Sequence, residues 1–192
     1  MSADGKVLAE TVVDAAGNET RKYPYGNMYA HVVGFSTNGK SGIESNMNFN
    51  LLRSHSFVLE RMFNEIKDEK SMGDNVVTTL DSTLQETAYQ ALGNYDGAVV
   101  VMEPSTGKVL AMVSKPDFDP NTIAADWDSI ISEDNNNSVL LNRATQGLYP
   151  PGSTFKIITT LEYIRENPDY ENYSYSCNGS ITENDFTIHC YN

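Results

Sequence analysis

An α+β fold is what this sequence predicts, and three observations predict it. Two strand-like runs, Ala98 to Met102 and Val109 to Val113, flank a turn marked by Pro104 and Gly107 and read as a hairpin. Apolar residues recur at helical spacing after Ser82 and again after Ser153. With 40% hydrophobic residues in a length of 192, the chain can bury the core of one domain or of two small ones.

Two regions follow one another, 1–73 and 74–192, divided at the turn-like Ser71-Met72-Gly73-Asp74. In the first, Lys6 to Val13 and Tyr29 to Phe35 read as strands and Phe57 to Lys67 as a helix. That helix carries an apolar stripe of Val58, Met62 and Ile66 flanked by Glu60, Arg61, Asn64 and Glu65, suited to core packing, with a dimer or partner contact as the alternative. The second region opens with a strand, Val76 to Thr79, and a helix from Ser82 in which Ser82 and Gln85 fit a capping box. Leu84, Ala88, Ala91 and Leu92 give its buried face, and Gly93 ends it. The first hairpin strand is nearly all apolar, which predicts a central place in a sheet. Asp117 to Asn137 is polar with one tryptophan, Trp127, and its Asp134-Asn135-Asn136-Asn137 reads as a solvated loop without the alternation and closing glutamate of an EF-hand. Val139 to Leu148 then leads into the next turn, with Arg143 and Gln146 able to orient it or simply to face solvent.

Composition excludes several functions. A net charge of -13 argues against nucleic acid, whose binding needs clustered Lys and Arg against phosphates. No apolar run approaches the ~18 residues of a membrane-spanning helix, and no signal peptide is evident. His31, His55 and His189 are scattered without ligand spacing, so no metal and no cofactor is predicted. Cys177 and Cys190 could bridge in an oxidising compartment or remain free thiols.

The chemistry concentrates in Gly147-Leu148-Tyr149-Pro150-Pro151-Gly152-Ser153-Thr154-Phe155-Lys156. Pro150, Pro151 and Gly152 supply a turn; Phe155, Ile158, Leu161 and Ile164 then repeat at helical spacing, Ile157 widens the face, and Pro168 closes the segment. Residues three apart share a helix face, so the Lys156 amine can reach the Ser153 hydroxyl. A serine needs an adjacent base to act as a nucleophile, and free N–H groups at a helix start favour an oxyanion. A serine there can also be a plain helix start, and the lysine a solvated one. The pattern S-x-x-K is short and occurs a second time, as Ser105-Thr106-Gly107-Lys108, which belongs to the hairpin turn. Only Ser153 heads a helix.

The segments around this motif resemble the class B penicillin-binding proteins, peptidoglycan transpeptidases, over nearly the whole chain. Tyr23-Pro24-Tyr25-Gly26, His31-Val32-Val33-Gly34 and Gly39-Lys40-Ser41-Gly42-Ile43-Glu44 resemble the stretch before the catalytic domain. Thr79-Leu80-Asp81, Gly97 to Val101, Thr106 to Ser114, Phe118-Asp119-Pro120-Asn121 and the Ser153 block continue the likeness in family order. The resemblance implies an N-terminal pedestal followed by the first part of a penicillin-binding transpeptidase domain, a sheet flanked by helices. It implies Ser153 as nucleophile towards the D-Ala-D-Ala stem peptide or a β-lactam antibiotic, and Lys156 as proton acceptor, a role disputed among relatives. It also implies a membrane anchor upstream, the extracytoplasmic face of a bacterial membrane as location, and homodimers or cell-wall synthesis and division proteins as candidate partners. A β-lactam-sensing receptor, a serine β-lactamase and a noncatalytic scaffold are the competing readings; the pedestal-like segments disfavour the first two.

The family's later S-x-N and K-T/S-G motifs are the point of departure. Ser36-Thr37-Asn38 and Lys40-Ser41-Gly42 spell both but precede the nucleophile, and Ser176-Cys177-Asn178 follows it very closely, so all three read as coincidences. No K-T/S-G follows Ser153, and the expectation is a truncated transpeptidase with an incomplete active site.

Overall fold

The computed structural model describes residues 1–53, 73–132 and 138–190. The expected helix Phe57 to Lys67, the first half of the expected boundary turn (Ser71 and Met72) and the whole Asp134 to Asn137 loop lie outside these residues. Two compact units divide the chain, Met1–Leu148 and Tyr149–Asn192.

The first unit begins with a hairpin of β1 (Glu10–Val13) and β2 (Glu19–Lys22), shorter than the expected Lys6 to Val13 strand. Its turn is tied by Asp14, whose Oδ1 accepts the N–H groups of Ala16 and Asn18, each at 2.8 Å. Where a strand was expected from Tyr29 to Phe35, a 3-10 turn (Gly26–Tyr29) runs into α1 (Ala30–Val33). A strand would put Tyr29, Val33 and Phe35 on one face. Instead Tyr29 and Val33 join Leu8, Tyr23 and Leu80 in one core cluster, while Ala30 and Phe35 join Phe118 and Ile123 in another. Tertiary burial on two sides overrides the β propensity of Val32 and Val33.

The short helices α2 (Gly42–Asn46) and α3 (Asn48–Leu52) follow. A Cβ on Gly34 would lie 2.0 Å from the Ser41 carbonyl oxygen, and one on Gly42 would lie 2.7 Å from that of Val32. This close backbone crossing is the physical reason for glycine in Lys40-Ser41-Gly42, so that triplet is structural, as its position before the nucleophile suggested. The buried Glu44 pairs with Arg21 Nε at 2.7 Å and ties α2 to β2.

Val76 to Thr79, expected as a strand, has no strand partner among the described residues. It takes its hydrogen bonds from the chain start: Met1 N–H to Val76 O, Thr78 N–H to Met1 O and Ala3 N–H to Leu80 O, at 2.7 to 2.9 Å. Next comes α4 (Ser82–Leu92), ended by Gly93 at φ 54°. Its cap is Asp81, whose Oδ1 accepts the Leu84 N–H at 2.9 Å, not the expected pair of Ser82 and Gln85. Ser82 Oγ donates to Asp4 instead, and Gln85 is fully buried. The inner face is therefore Gln85, Ala88, Tyr89 and Leu92, rotated from the expected one because periodicity counted Gln85 as polar; Leu84 and Ala91 are exposed.

That face packs on the hairpin of β3 (Gly97–Glu103) and β4 (Lys108–Lys115) through Ala88 against Ala111 and Val113. The central position expected for β3 is not seen: among the described residues it pairs with β4 alone, leaving Val100 and Met102 exposed. Beyond β4, α5 (Ile123–Ile131) packs Ile123 and Trp127 against Phe35 and Phe118.

Polar side chains bind the pedestal-like segment to this layer. The Asn121 amide pairs with both backbone groups of Tyr23, at 2.9 and 3.0 Å, and Asn27 Nδ2 and Tyr89 Oη donate to the two oxygens of Asp117. His31, 8% exposed, places Nε2 3.1 Å from Pro116 O, so that nitrogen carries the proton it donates. Burial, the largest cause, pushes the imidazole below its ordinary pKa against the opposing pull of the Pro116 carbonyl and Asp117, with Arg143 adding a smaller push in the same direction as burial. The sign follows. His31 stabilises the fold fully above the unfolded value of about 6.5, and this contribution is lost as pH falls from there through the lowered folded value. Urea unfolding at a series of pH values from about 7.5 to 5 should show falling stability, with a shallower fall in His31→Gln. Equal slopes in the two proteins would remove His31 as the cause.

Candidate active site

Unit two starts from the turn at Pro150-Pro151-Gly152. Gly152 has φ 53°, in the left-handed region where a side chain is strained, and it opens the 3-10 turn immediately before Ser153. Ser153 lies in a 3-10 turn, Gly152–Phe155, that runs directly into α6 (Lys156–Glu166). Thr154 N–H bonds to Pro151 O at 3.2 Å, and the Lys156 N–H reaches the carbonyls of Ser153 and Thr154. The helix stops at the residue before Asn167-Pro168, as the steric demand of proline requires. Ser153 and Lys156 thus stand one turn apart at a helix start, and both are exposed within this unit.

Ser105 and Lys108 have different surroundings. Ser105 sits in the exposed turn Pro104 to Gly107 and Lys108 opens β4, so the second S-x-x-K is a hairpin corner.

After α6, a 3-10 turn (Tyr170–Asn172) leads to Tyr173, whose ring meets that of Tyr163 edge-on at 5.3 Å. The hairpin β5 (Ser180–Glu183) and β6 (Phe186–His189) follows, closed at its base by a Cys177–Cys190 disulfide and by Cys190 N–H to Gly179 O at 2.9 Å. The bridge settles the cysteine alternative for this structure. It also makes Cys177 of Ser176-Cys177-Asn178 a cystine half, in an exposed segment outside the helices and strands. An open groove of about 410 Å³ is lined by Lys156, Tyr173 and Tyr175, by Ile181, Ile188 and His189 of the hairpin, and by Cys190 at its base, all of them exposed within this unit. The expected apolar stripe of α6 exists as spacing but is uncovered within this unit: Phe155, Ile158 and Leu161 are each more than half exposed, and Ile164 is partly so.

In unit one, the stretch that leads towards this turn is held by side chains that periodicity does not reveal. The buried Ser114 hydroxyl accepts the Arg143 N–H at 2.9 Å and donates to Leu141 O at 3.3 Å. Asn142 donates to His31 O at 3.2 Å and accepts the Ala144 N–H at 3.0 Å. Of the two residues expected to orient this stretch, Arg143 does so through its backbone and a bond from its guanidinium to Ser138 O, while the Gln146 side chain is exposed. Among the described residues no three of His, Cys, Asp and Glu converge as a metal requires, and no helix is long and apolar enough to cross a membrane.

Comparison with known proteins places this geometry. Residues 97–192 match the penicillin binding protein transpeptidase domain, and residues 1–76 match the penicillin binding protein A dimerisation domain. The chain is 39% identical over 183 residues to the peptidoglycan D,D-transpeptidase PbpA of Mycolicibacterium smegmatis, covering 83% of this chain and 36% of that protein. It is similar to the structure of penicillin-binding protein A from M. tuberculosis in its penicillin G acyl-enzyme complex, with TM-score 0.82 and 31% identity over 100% of this chain and 47% of that one. The D,D-transpeptidase domain of a peptidoglycan glycosyltransferase from Eggerthella lenta gives TM-score 0.78 and 34% identity, over 98% and 41% of the two chains. The chain spans between a quarter and just over a third of the length of the curated relatives it matches.

Proposed function

Because the chain belongs to the class B penicillin-binding proteins, with a dimerisation domain followed by the start of a transpeptidase domain, we propose that it is part of a peptidoglycan D,D-transpeptidase with Ser153 as nucleophile and Lys156 as proton acceptor. The observation that carries this reading is Ser153 at the head of α6, one turn before Lys156, behind a left-handed glycine and inside the transpeptidase match. Ser153 Oγ attacks the carbonyl carbon of the penultimate D-Ala and its proton passes to the Lys156 amine. The C–N bond breaks, and the departing D-Ala amine takes a proton. An amine of a second stem peptide then attacks the acyl-serine, forms the cross-link and returns the hydroxyl. A β-lactam follows the first half only: its C–N bond opens, but the leaving nitrogen stays tethered, and the acyl-serine persists.

Residues 1–73 are read as pedestal and dimerisation region and 74–192 as the N-terminal half of the catalytic domain, a division supported by the two family matches. The disulfide supports the extracytoplasmic face of a bacterial membrane as the location, since such bonds persist in oxidising compartments. The stripe on α6, uncovered within its unit, is an apolar face of the kind that is ordinarily buried, and left bare it promotes association.

The test is incubation with a fluorescent penicillin followed by intact-mass analysis, for the 192-residue chain and for the full-length protein in parallel. Stoichiometric acylation of the full-length protein is expected, with labelling near background for the shorter chain. Losing a single oxyanion donor costs on the order of a hundredfold or more, and the shorter chain lacks both later motifs. A full-length protein that takes no label would favour a noncatalytic scaffold. Rapid labelling of the shorter chain would make Ser176-Cys177-Asn178 a working motif.

A further inference from the structure

We propose that the Cys177–Cys190 disulfide is a positioning element for Lys156, holding the β5–β6 hairpin as one side of the open groove that Lys156 also lines. This rests on the reading of Ser153 and Lys156 given above. All eight residues of the two strands are exposed within their unit, so little apolar burial holds the hairpin together. Two short strands alone are marginal in water. What the hairpin has instead is its ladder, a Thr182 to Thr187 hydroxyl bond of 2.9 Å, and the covalent bridge spanning 13 residues just outside the first strand pair. The bridge is not remote from the chemistry. Cys190 and its neighbour His189 line the same open groove as Lys156, with Ile181 from the opposite strand also on its lining. Opening the bond frees the chain on both sides of the hairpin and, with it, that side of the groove. The bond forms by thiol–disulfide exchange: one cysteine thiolate attacks a donor disulfide, the second displaces the mixed disulfide, and the donor leaves as two thiols. A phosphine reverses it, taking oxygen from water to become the phosphine oxide while the cystine becomes two thiols.

The experiment uses the full-length protein, with maleimide labelling and intact mass to count free thiols at these two positions before and after treatment with a phosphine reductant. Stopped-flow acylation by a fluorescent penicillin then separates the dissociation constant of the initial complex from the acylation rate constant. No free thiol at these positions is expected before reduction and two after. The acylation rate constant should fall about tenfold on reduction, with the initial dissociation constant little changed and recovery on reoxidation. Cys177→Ser/Cys190→Ser should show the slow rate with or without reductant. A merely structural bridge would lower the fraction of protein that labels without slowing what does label. That result, an unchanged rate after verified reduction, or two free thiols at the outset would each overturn the proposal. Absence of acylation in the oxidised protein would instead overturn the assignment of Ser153.

Discussion

Ser153→Ala is expected to remove penicillin labelling of the full-length protein by on the order of a thousandfold or more, because the acyl bond has no other oxygen to form on. Ser105→Ala should label at the unaltered rate. The two serines share the S-x-x-K spelling but not the setting: Ser105 occupies an exposed hairpin corner, and Ser153 follows the left-handed Gly152 in the 3-10 turn that runs into α6. Lys156→Ala should slow acylation by about a hundredfold to ten-thousandfold, the range for loss of a positioned proton acceptor, while leaving Ser153 as the residue that any slow label occupies. Peptide mapping of the labelled protein decides the matter. A label on any residue other than Ser153, or a labelled Ser153→Ala protein, would sink the assignment.

The turn and the helix start around Ser153 were legible because their determinants are local. Pro150, Pro151 and Gly152 stand next to Ser153, and Pro168 stands at the other end of the same helix. The hairpin of β3 and β4 was legible for the same reason, through Pro104 and Gly107. What periodicity misread depends on partners distant in the chain. Asn121 meets Tyr23 across 98 residues, Asn142 meets His31 across 111, and Ser114 meets Arg143 across 29. An asparagine or serine carries no signal of such a partner in its own neighbourhood. The helical conformation of Tyr29 to Val33 was likewise set by two separate core clusters drawing on Leu80 and Phe118. The apolar stripe of α6 shows the complementary limit: spacing marks a face that wants covering without saying what covers it.

Gln85→Met is expected to cost about 3 to 6 kcal/mol, a large part of the roughly 5 to 15 kcal/mol that holds an ordinary domain. Gln85 is fully buried, and its amide makes three bonds to main chain. Nε2 donates to the carbonyls of Met28 and Met112, each at 2.8 Å, and Oε1 accepts the Met112 N–H at 2.9 Å. The side chain therefore satisfies β4 on the edge opposite its hairpin partner and, with the same nitrogen, fastens the pedestal-like segment at Met28 to α4. Methionine keeps the length and most of the volume, so packing loss is small and the effect isolates the polar groups. Each stranded buried group costs about 1 to 3 kcal/mol, and partial relaxation keeps the total below the sum. Gln85→Glu gives a second reading. An ionised carboxylate can still accept the Met112 N–H but faces two carbonyl oxygens it cannot bond, whereas the protonated acid can donate to one of them. Its loss relative to the unaltered protein should accordingly be larger at pH 7 than at pH 4.5. Leu92→Ala is the control from the same helix face; because Leu92 is only partly buried, it should cost less than Gln85→Met. Urea unfolding of the four proteins provides the comparison, and a loss below about 1 kcal/mol in Gln85→Met would mean that the three bonds do not hold β4 and Met28 to the helix.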